Sequence, residues 1–537
     1  MKKILLGRFI YSAITMLMLL ISHLGLVENG WAGLSFFDAS DSSTTDYETF
    51  AAMKASKTPT SDDIVDGNNL TYRYWDARAL DGTPGHPIII QDAILDGAST
   101  DSYGIDITNS DYIYLKNITT QNCVNRGFYS GTAAVTGVYL DDLVTVSTGH
   151  SGFNLINSSG VVANRLSAYS NTANGFNMSG TSGTWTDLLA DGCPTGIRFL
   201  GGTNVLTGAT VTGATAAGLT LSTMDGFIGS YININSPSAT SDSAISLMAA
   251  TNTTISHFDI VGGYGAGVSV TSTSTNAKFY DGHVTNSTAD GFSVINSTGA
   301  EFYRCIANGV GRTTNADWGD AFTSHVGCTG EIFAFNLSRN NLNTSHAHID
   351  TSAGAIYHHT GVNDGDPTNF NRAMLYLPGT GEWIVKNSVF VNLNGYSIAQ
   401  CGAAPAITAD YNAYISNLAA PFKINGTAGK TWSEWITAVG NETHSIFIYK
   451  NGSDYEVYYG SAPTTKAATL TYCPVASSGK LVNRSDNPLI DAGDRISEIN
   501  DVNQTDLASN KMSGMPDIGC YEVVPTRPKT ILRIGRQ

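Results

Sequence analysis

The chain has 537 residues, a formal net charge of −16, only 14% charged side chains, 56 glycines and 7 cysteines. That length allows a large core, and the acidic balance excludes nucleic acid and anionic membrane as natural partners. The odd cysteine count leaves at least one thiol unpaired, and the absence of C-x-x-C speaks against zinc.

Residues 1–32 read as a secretory signal. Lys2, Lys3 and Arg8 precede an apolar run from Ile10 to Leu20, and Gly30-Trp31-Ala32 places small residues where a peptidase cuts. Removal takes away three bases and one acid, Glu28, so −16 becomes −18. The expected product starts near Gly33 and is secreted (extracellular, periplasmic or at the cell surface), with no membrane attachment.

Residues 33–87 read as an N-terminal cap and a leading loop. Thr45-Asp46-Tyr47-Glu48 is a capping box, and Tyr47, Phe50 and Met53 follow at near-helical spacing. A short amphipathic helix there would close the open end of a solenoid, which otherwise exposes an edge strand. The turn-rich stretch Gly82–Pro87 then leads to Ile88-Ile89-Ile90, the first regular strand.

From 88 to 400 one beat repeats: Gly, apolar, polar, apolar. It stands at Gly104-Ile105-Asp106-Ile107, Gly152-Phe153-Asn154-Leu155, Gly175-Phe176-Asn177-Met178, Gly196-Ile197-Arg198-Phe199, Gly218-Leu219-Thr220-Leu221, Gly267-Val268-Ser269-Val270 and Gly291-Phe292-Ser293-Val294. A fixed period of about 23 residues marks a solenoid. Alternation over three or four residues is a strand signal, and a coil of this length has room only for short strands and turns. Stacked coils pair in parallel, roughly 4.8 Å apart. The fold class expected is all-β: a single-stranded right-handed parallel β-helix, its hand set by the general preference of parallel connections. Asn122, Asn171, Asn286, Asn308 and Asn340 fall near turns, as a stacked amide ladder or as residues that tolerate left-handed turns. Gly spacing aligns Thr298-Gly299, Thr329-Gly330, Ala353-Gly354 and Thr380-Gly381 in four coils, with an insertion between Asn308 and Gly319.

Residues 401–524 close the helix and 525–537 form a basic tail. Thr431-Trp432-Ser433-Glu434 is a second capping box, and strands are expected over Ser445–Lys450 and Tyr455–Tyr459. The cysteines read as buried small residues, with a Cys401–Cys473 or Cys473–Cys520 bridge open to an exported chain. The last motif is Leu489-Ile490-Asp491-Ala492-Gly493-Asp494 followed by Pro516-Asp517-Ile518-Gly519-Cys520-Tyr521-Glu522. It resembles the closing motif of secreted right-handed β-helix proteins of the pectate-lyase-like superfamily, and the likeness spans roughly residues 62–522. The resemblance implies the fold and export. For chemistry it implies only a range, because that superfamily holds lyases, hydrolases, epimerases and non-catalytic surface proteins.

Five of the 11 histidines lie between 325 and 359, joined by Asp317, Asp320 and Asp350, in the irregular coils. Aligning Phe292, Phe322, Ile349 and Leu375 as inward residues puts Ser293, Thr323, Asp350 and Tyr376 in one outward column. The candidate catalytic set is Asp320, His325, His348 and Asp350. A lyase needs a base for the proton α to a carboxylate and a cation for the charge that develops. A histidine suits the first; Arg312, Arg372 or a Ca²⁺ held by aspartates suits the second. Trp318, Tyr357 and Tyr376 are candidates to stack on sugar rings. The closely spaced Asp pairs and Gly-His-Gly of β-helix polygalacturonases are absent, which argues against that branch. The leading expectation is a monomeric, carbohydrate-active protein acting on a polysaccharide as a uronate lyase, in a groove around residues 309–376. A non-catalytic glycan-binding or adhesive surface protein is the alternative, and a purely structural envelope protein the third.

Overall fold

The computed structural model describes residues 58–236, 242–262, 265–311, 319–342, 344–348, 352–362, 373–402, 406–490, 492–493 and 517–519, leaving aside the side chains of Asn68, Leu70, Ala347 and His348. The signal at 1–32, the helix near 45–53 and the tail 525–537 lie outside these residues.

The chain winds as a right-handed parallel β-helix. Two sheets run its length, one of 23 strands and one of 16. The Gly beat lies on the second, short-strand sheet. Phe128, Phe153, Phe176 and Ile197 are direct partners in successive coils. The glycines are there because of crowding. A Cβ on Gly175 would meet the Gly196 carbonyl oxygen at 2.7 Å, and one on Gly196 would meet that of Gly218 at 2.7 Å. Inward apolar residues then stack along the axis: Phe128, Phe153 and Phe176 are parallel with centroids 4.8 Å apart. Such offset aromatic pairs add about 0.5–1.5 kcal/mol beyond burial.

The long strands of the first sheet bend at one residue in each coil. Asp92, Asn117, Asp142, Arg165, Asp187, Tyr231, His257, Asp281 and Arg304 all have φ between 48° and 56°. Their side chains form an outer ridge: Asn117 Nδ2 donates to Asp92 Oδ1 (2.6 Å), Arg165 Nε to Asp142 Oδ1 (2.5 Å) and Arg304 Nε to Asp281 Oδ1 (2.7 Å). Asn122, Asn286 and Asn340 sit at a second bend, with φ of 52°, 60° and 55°. They are used for that backbone conformation, whereas Asn171 is buried and its Oδ1 accepts from Thr148.

The stack begins one coil before Ile88: the strand Ile64–Tyr72 pairs with Ile88–Asp96. It continues past residue 400, because Ile446–Asn451 pairs in parallel with Ala413–Ser416. The Gly-based alignment slips in the later coils. Thr298 and Thr329 are partners, but Gly354 pairs with Glu331 and with Trp383, since a bulge lies between Thr329 and Glu331. The Cys401–Cys473 bridge is not formed: Cys401 is in the main core, Cys473 packs on a separate cluster, and both are free thiols.

The capping box forms as its spacing predicts. Thr431 and Glu434 cap the helix Trp432–Val439, which ends at the left-handed Gly440. Glu442 is fully buried beneath it, accepting from Tyr414 Oη (2.6 Å) and Trp435 Nε1 (3.2 Å). The motif residues Leu489 and Ile518 are buried together over Val389 and Val391. The Ile518 N–H donates to the Leu489 carbonyl and that of Gly519 to the Asn387 carbonyl, so the final segment closes the outside of the last coils.

Candidate functional site

The outward column of the short-strand sheet runs Ser269, Ser293, Thr323, Ala347, Tyr376, Gln400 and Lys423, one residue per coil. This corrects the register read from sequence. His346 fills the inward slot assigned to Ile349, so Ala347 stands where Asp350 was expected. His346 is fully buried and stacks on Phe322 at 5.0 Å, continuing the aromatic row.

This outward face is not open to solvent. Ser293, Thr323, Gln400 and Lys423 are all less than a tenth exposed. Ser293 Oγ, Thr323 Oγ1 and Gln400 Oε1 are buried without a hydrogen-bond partner. Outward hydroxyls in a solenoid are normally wet, and a buried polar group left unmatched costs about 1–3 kcal/mol. Six steps of about 4.8 Å make the column roughly 29 Å long. Desolvation pulls the Lys423 amine below its ordinary pKa.

At the start of these strands, Asp290 is buried and its Oδ1 accepts from the backbone N–H groups of Gly319 (3.0 Å) and Asp320 (3.1 Å). Its Oδ2 faces His325 Nε2 at 3.9 Å. His325 follows the strand Phe322–Ser324 and keeps 23% of its side chain exposed. At 3.9 Å no hydrogen bond joins the two, and Nε2 is buried without a partner, so the fixed carboxylate acts on the partly open imidazole through its charge alone. Sequence reading passed over Asp290 because Asp-Gly before a strand reads as a turn.

The other candidates are dispersed. Asp320 is buried, and its Oδ1 accepts from the N–H (3.0 Å) and hydroxyl (2.8 Å) of Thr344, so it braces the turn of the next coil. Tyr376 is half-buried in the column. Tyr357 is on the other sheet, buried in a cluster with Tyr303 and Phe335, and is thereby separated from Tyr376. The backbone of His348 pairs with that of Ser324. The His348 side chain, Arg312, Trp318, Asp350 and Arg372 lie outside what is described. His358 and His359 are buried, and desolvation lowers their pKa to about 4 and about 3. His359 Nε2 lies 2.7 Å from Ser345 Oγ.

Residues 142–298 match the family model described as periplasmic copper-binding protein (NosD), which is under half of the chain. No curated protein matches. Among solved structures, the chain is similar to the alginate lyase of Paenibacillus sp. strain FPU-7 (14% identity, 57% of this chain, 95% of that one, TM-score 0.31). It is similar to the mannuronan C-5 epimerase AlgE6 A-module of Azotobacter vinelandii (13%, 57% and 91%, 0.40). It is also similar to PfbA, a surface adhesin of Streptococcus pneumoniae (8%, 68% and 85%, 0.36). None is close enough to bring its activity to this chain. Among its described residues the matched span holds no group of three His, Cys, Asp or Glu side chains that could take a metal. Cys193 is buried, its thiol pushed up by desolvation, and His257 stacks on Tyr231. Among the described residues no helix is long and apolar enough to cross a membrane.

Proposed function

We propose that this chain is an exported, carbohydrate-active β-helix that binds an acidic polysaccharide along the outer face of the short-strand sheet and cleaves it by β-elimination. The observation that carries this reading is the Asp290–His325 pair, whose imidazole keeps 23% of its side chain exposed beside the outward column. A linear chain lying along the axis would meet the partly open His325 and the half-buried Tyr376, and the buried hydroxyls of the column lie beneath that surface. Tyr376 offers a ring to a sugar face and Lys423 a charge to a uronate several rungs away.

In the reaction, neutral His325 takes the proton from the carbon α to the uronate carboxyl. The electron pair of that C–H bond becomes the new C=C bond, and the glycosidic oxygen leaves with the electron pair of the broken C–O bond and takes up a proton from the His325 imidazolium or from water. Asp290 stabilises the imidazolium that forms, as an oriented carboxylate does for a histidine base. Arg312, Arg372, His348 and Asp350 stay the further candidates for cation and base, with Trp318 as a stacking residue. Calcium held by aspartates in the same region would serve as the cation.

The test is a panel of pectate, alginate and glycosaminoglycans followed by ultraviolet absorbance of the unsaturated uronate. Absorbance growing on at least one polymer is expected, with a loss of about 10²–10⁴-fold in His325→Ala, the usual worth of a positioned base. Tight binding with no new absorbance on any polymer would establish the non-catalytic glycan-binding alternative instead.

A further inference from the structure

A second site lies at the closing end, on the hairpin that follows the helix. The strands Ile446–Asn451 and Asp454–Tyr459 are antiparallel, with Phe447 opposite Tyr458 and Tyr449 opposite Glu456. Alternation divides the hairpin's faces. Ile446, Ile448, Tyr455 and Val457 pack into the closing cluster, while Phe447, Tyr449 and Tyr458 pack towards the main core. Between this second face, Trp432 of the helix and the loop at Pro463-Thr464 is a cavity of about 370 Å³.

Its chemistry is specific. Trp432 and Phe447 form a floor, with ring centroids 6.0 Å apart and planes 31° from parallel; Phe447 and Tyr458 continue it at 6.1 Å and 30°. Tyr449 and Tyr458 are half-buried walls. Glu456 is the one acidic group of the lining. Its Oε2 accepts from Tyr458 Oη at 2.7 Å, and its Oε1 accepts from Asn451 Nδ2 at 3.3 Å. Thr431 and Ser433 add hydroxyls at the rim.

We propose that this cavity binds one ring of a neutral sugar, as an anchoring site separate from the cleavage groove. Phe447 stacks on Tyr458 and tilts against Trp432, and because Trp432 and Phe447 are each only 3% exposed, the C–H face of a pyranose would rest on the half-buried Tyr449 and Tyr458 rings. A cage for a quaternary ammonium instead wraps rings around the cation. The Glu456 carboxylate, its charge balanced by Lys466 Nζ at 3.5 Å, accepts from sugar hydroxyls and leaves no unpaired charge for a uronate to meet. The site therefore selects a neutral sugar unit, unlike the acidic chain proposed for the groove. It needs no residue of that groove and stands without the lyase reading.

The test is titration of the full chain with malto-, cello- and mannotriose, followed by intrinsic tryptophan fluorescence, for the wild type, Tyr449→Ala and Glu456→Gln. Saturable binding of at least one neutral trisaccharide is expected, weakened tenfold or more by each variant and unchanged in His325→Ala. An oligouronate should give no competing signal here. No fluorescence change with any neutral trisaccharide, equal binding by both variants, or displacement of the sugar by tetramethylammonium would overturn the proposal. Both substitutions are on partly exposed side chains; unchanged melting in the same samples shows that a loss of binding is not a loss of fold.

Discussion

Glu331 shows how a single inward residue sets a pH dependence. It occupies a column that Ala277 and Ala300 hold in the two preceding coils, and burial pushes its carboxyl up to about 8. Ser324 Oγ donates to it at 3.3 Å, and backbone hydrogen bonds from Thr329 and from Glu331 itself work against the rise without cancelling it. Between the ordinary value of 4.5 and about 8 the folded chain holds a proton that the unfolded chain has released, so stability falls as pH rises. His358 and His359 act in the opposite sense. They stay neutral when folded down to about 4 and about 3, so stability falls as pH drops below their ordinary 6.5. The melting temperature should therefore decline from pH 6.5 to 8, and Glu331→Gln should flatten that decline. An identical alkaline slope in the variant, measured by calorimetry, would contradict the assignment.

The groove makes a different demand at this scale. Asp290→Asn retains an acceptor for the Gly319 and Asp320 amides but loses the charge beside His325. Activity should drop by at least tenfold while stability shifts by only about 1 kcal/mol, because one neutral acceptor replaces a charged one. A large loss of stability in a denaturant titration would make Asp290 a structural brace. Residue identity in the groove was only partly legible. His325 was visible as a histidine in an irregular coil. His346 was read only as flanking the outward column, because a search for apolar inward positions chose Ile349 and missed an imidazole that stacks on Phe322. That single choice moved the expected column by three residues in one coil.

At the scale of elements, spacing carried most of the information. The Gly beat, the capping box at Thr431 and the two strands after the helix are local patterns, and each formed where its pattern lay. Bulges and insertions are not local: the slip after Thr329 depends on which coil supplies the neighbour. Two substitutions test the element-level account. In Gly152→Ala the new Cβ would meet Thr145 Oγ1, the Asn171 amide (2.7 Å) and the Gly175 carbonyl (2.9 Å), with no left-handed φ involved. Overpacking of this kind costs about 1–3 kcal/mol. Thr431→Ala removes one half of the capping box and should cost about 1 kcal/mol. Urea titrations check both, and a neutral Gly152→Ala would show that the coils can spread to admit a methyl group.

For the whole molecule, the repeat explains both what was legible and what was not. Every coil buries the same inward slots, so a period of about 23 residues fixes the architecture many times over. The outer faces obey no such rule, and function depends on them. Sequence put Tyr357 with Tyr376, yet the solenoid sets them on different sheets. The molecule thus has distinct surfaces: the groove column, the ridge of left-handed residues and the closing hairpin. A crystal structure of His325→Ala with an acidic oligosaccharide tests the central claim most directly. The account predicts the sugar chain lying along the axis from Ser269 towards Lys423, with a uronate over the place the His325 ring occupied and a sugar ring on Tyr376. A chain bound across the long-strand sheet, or crossing the coils rather than following them, would contradict it.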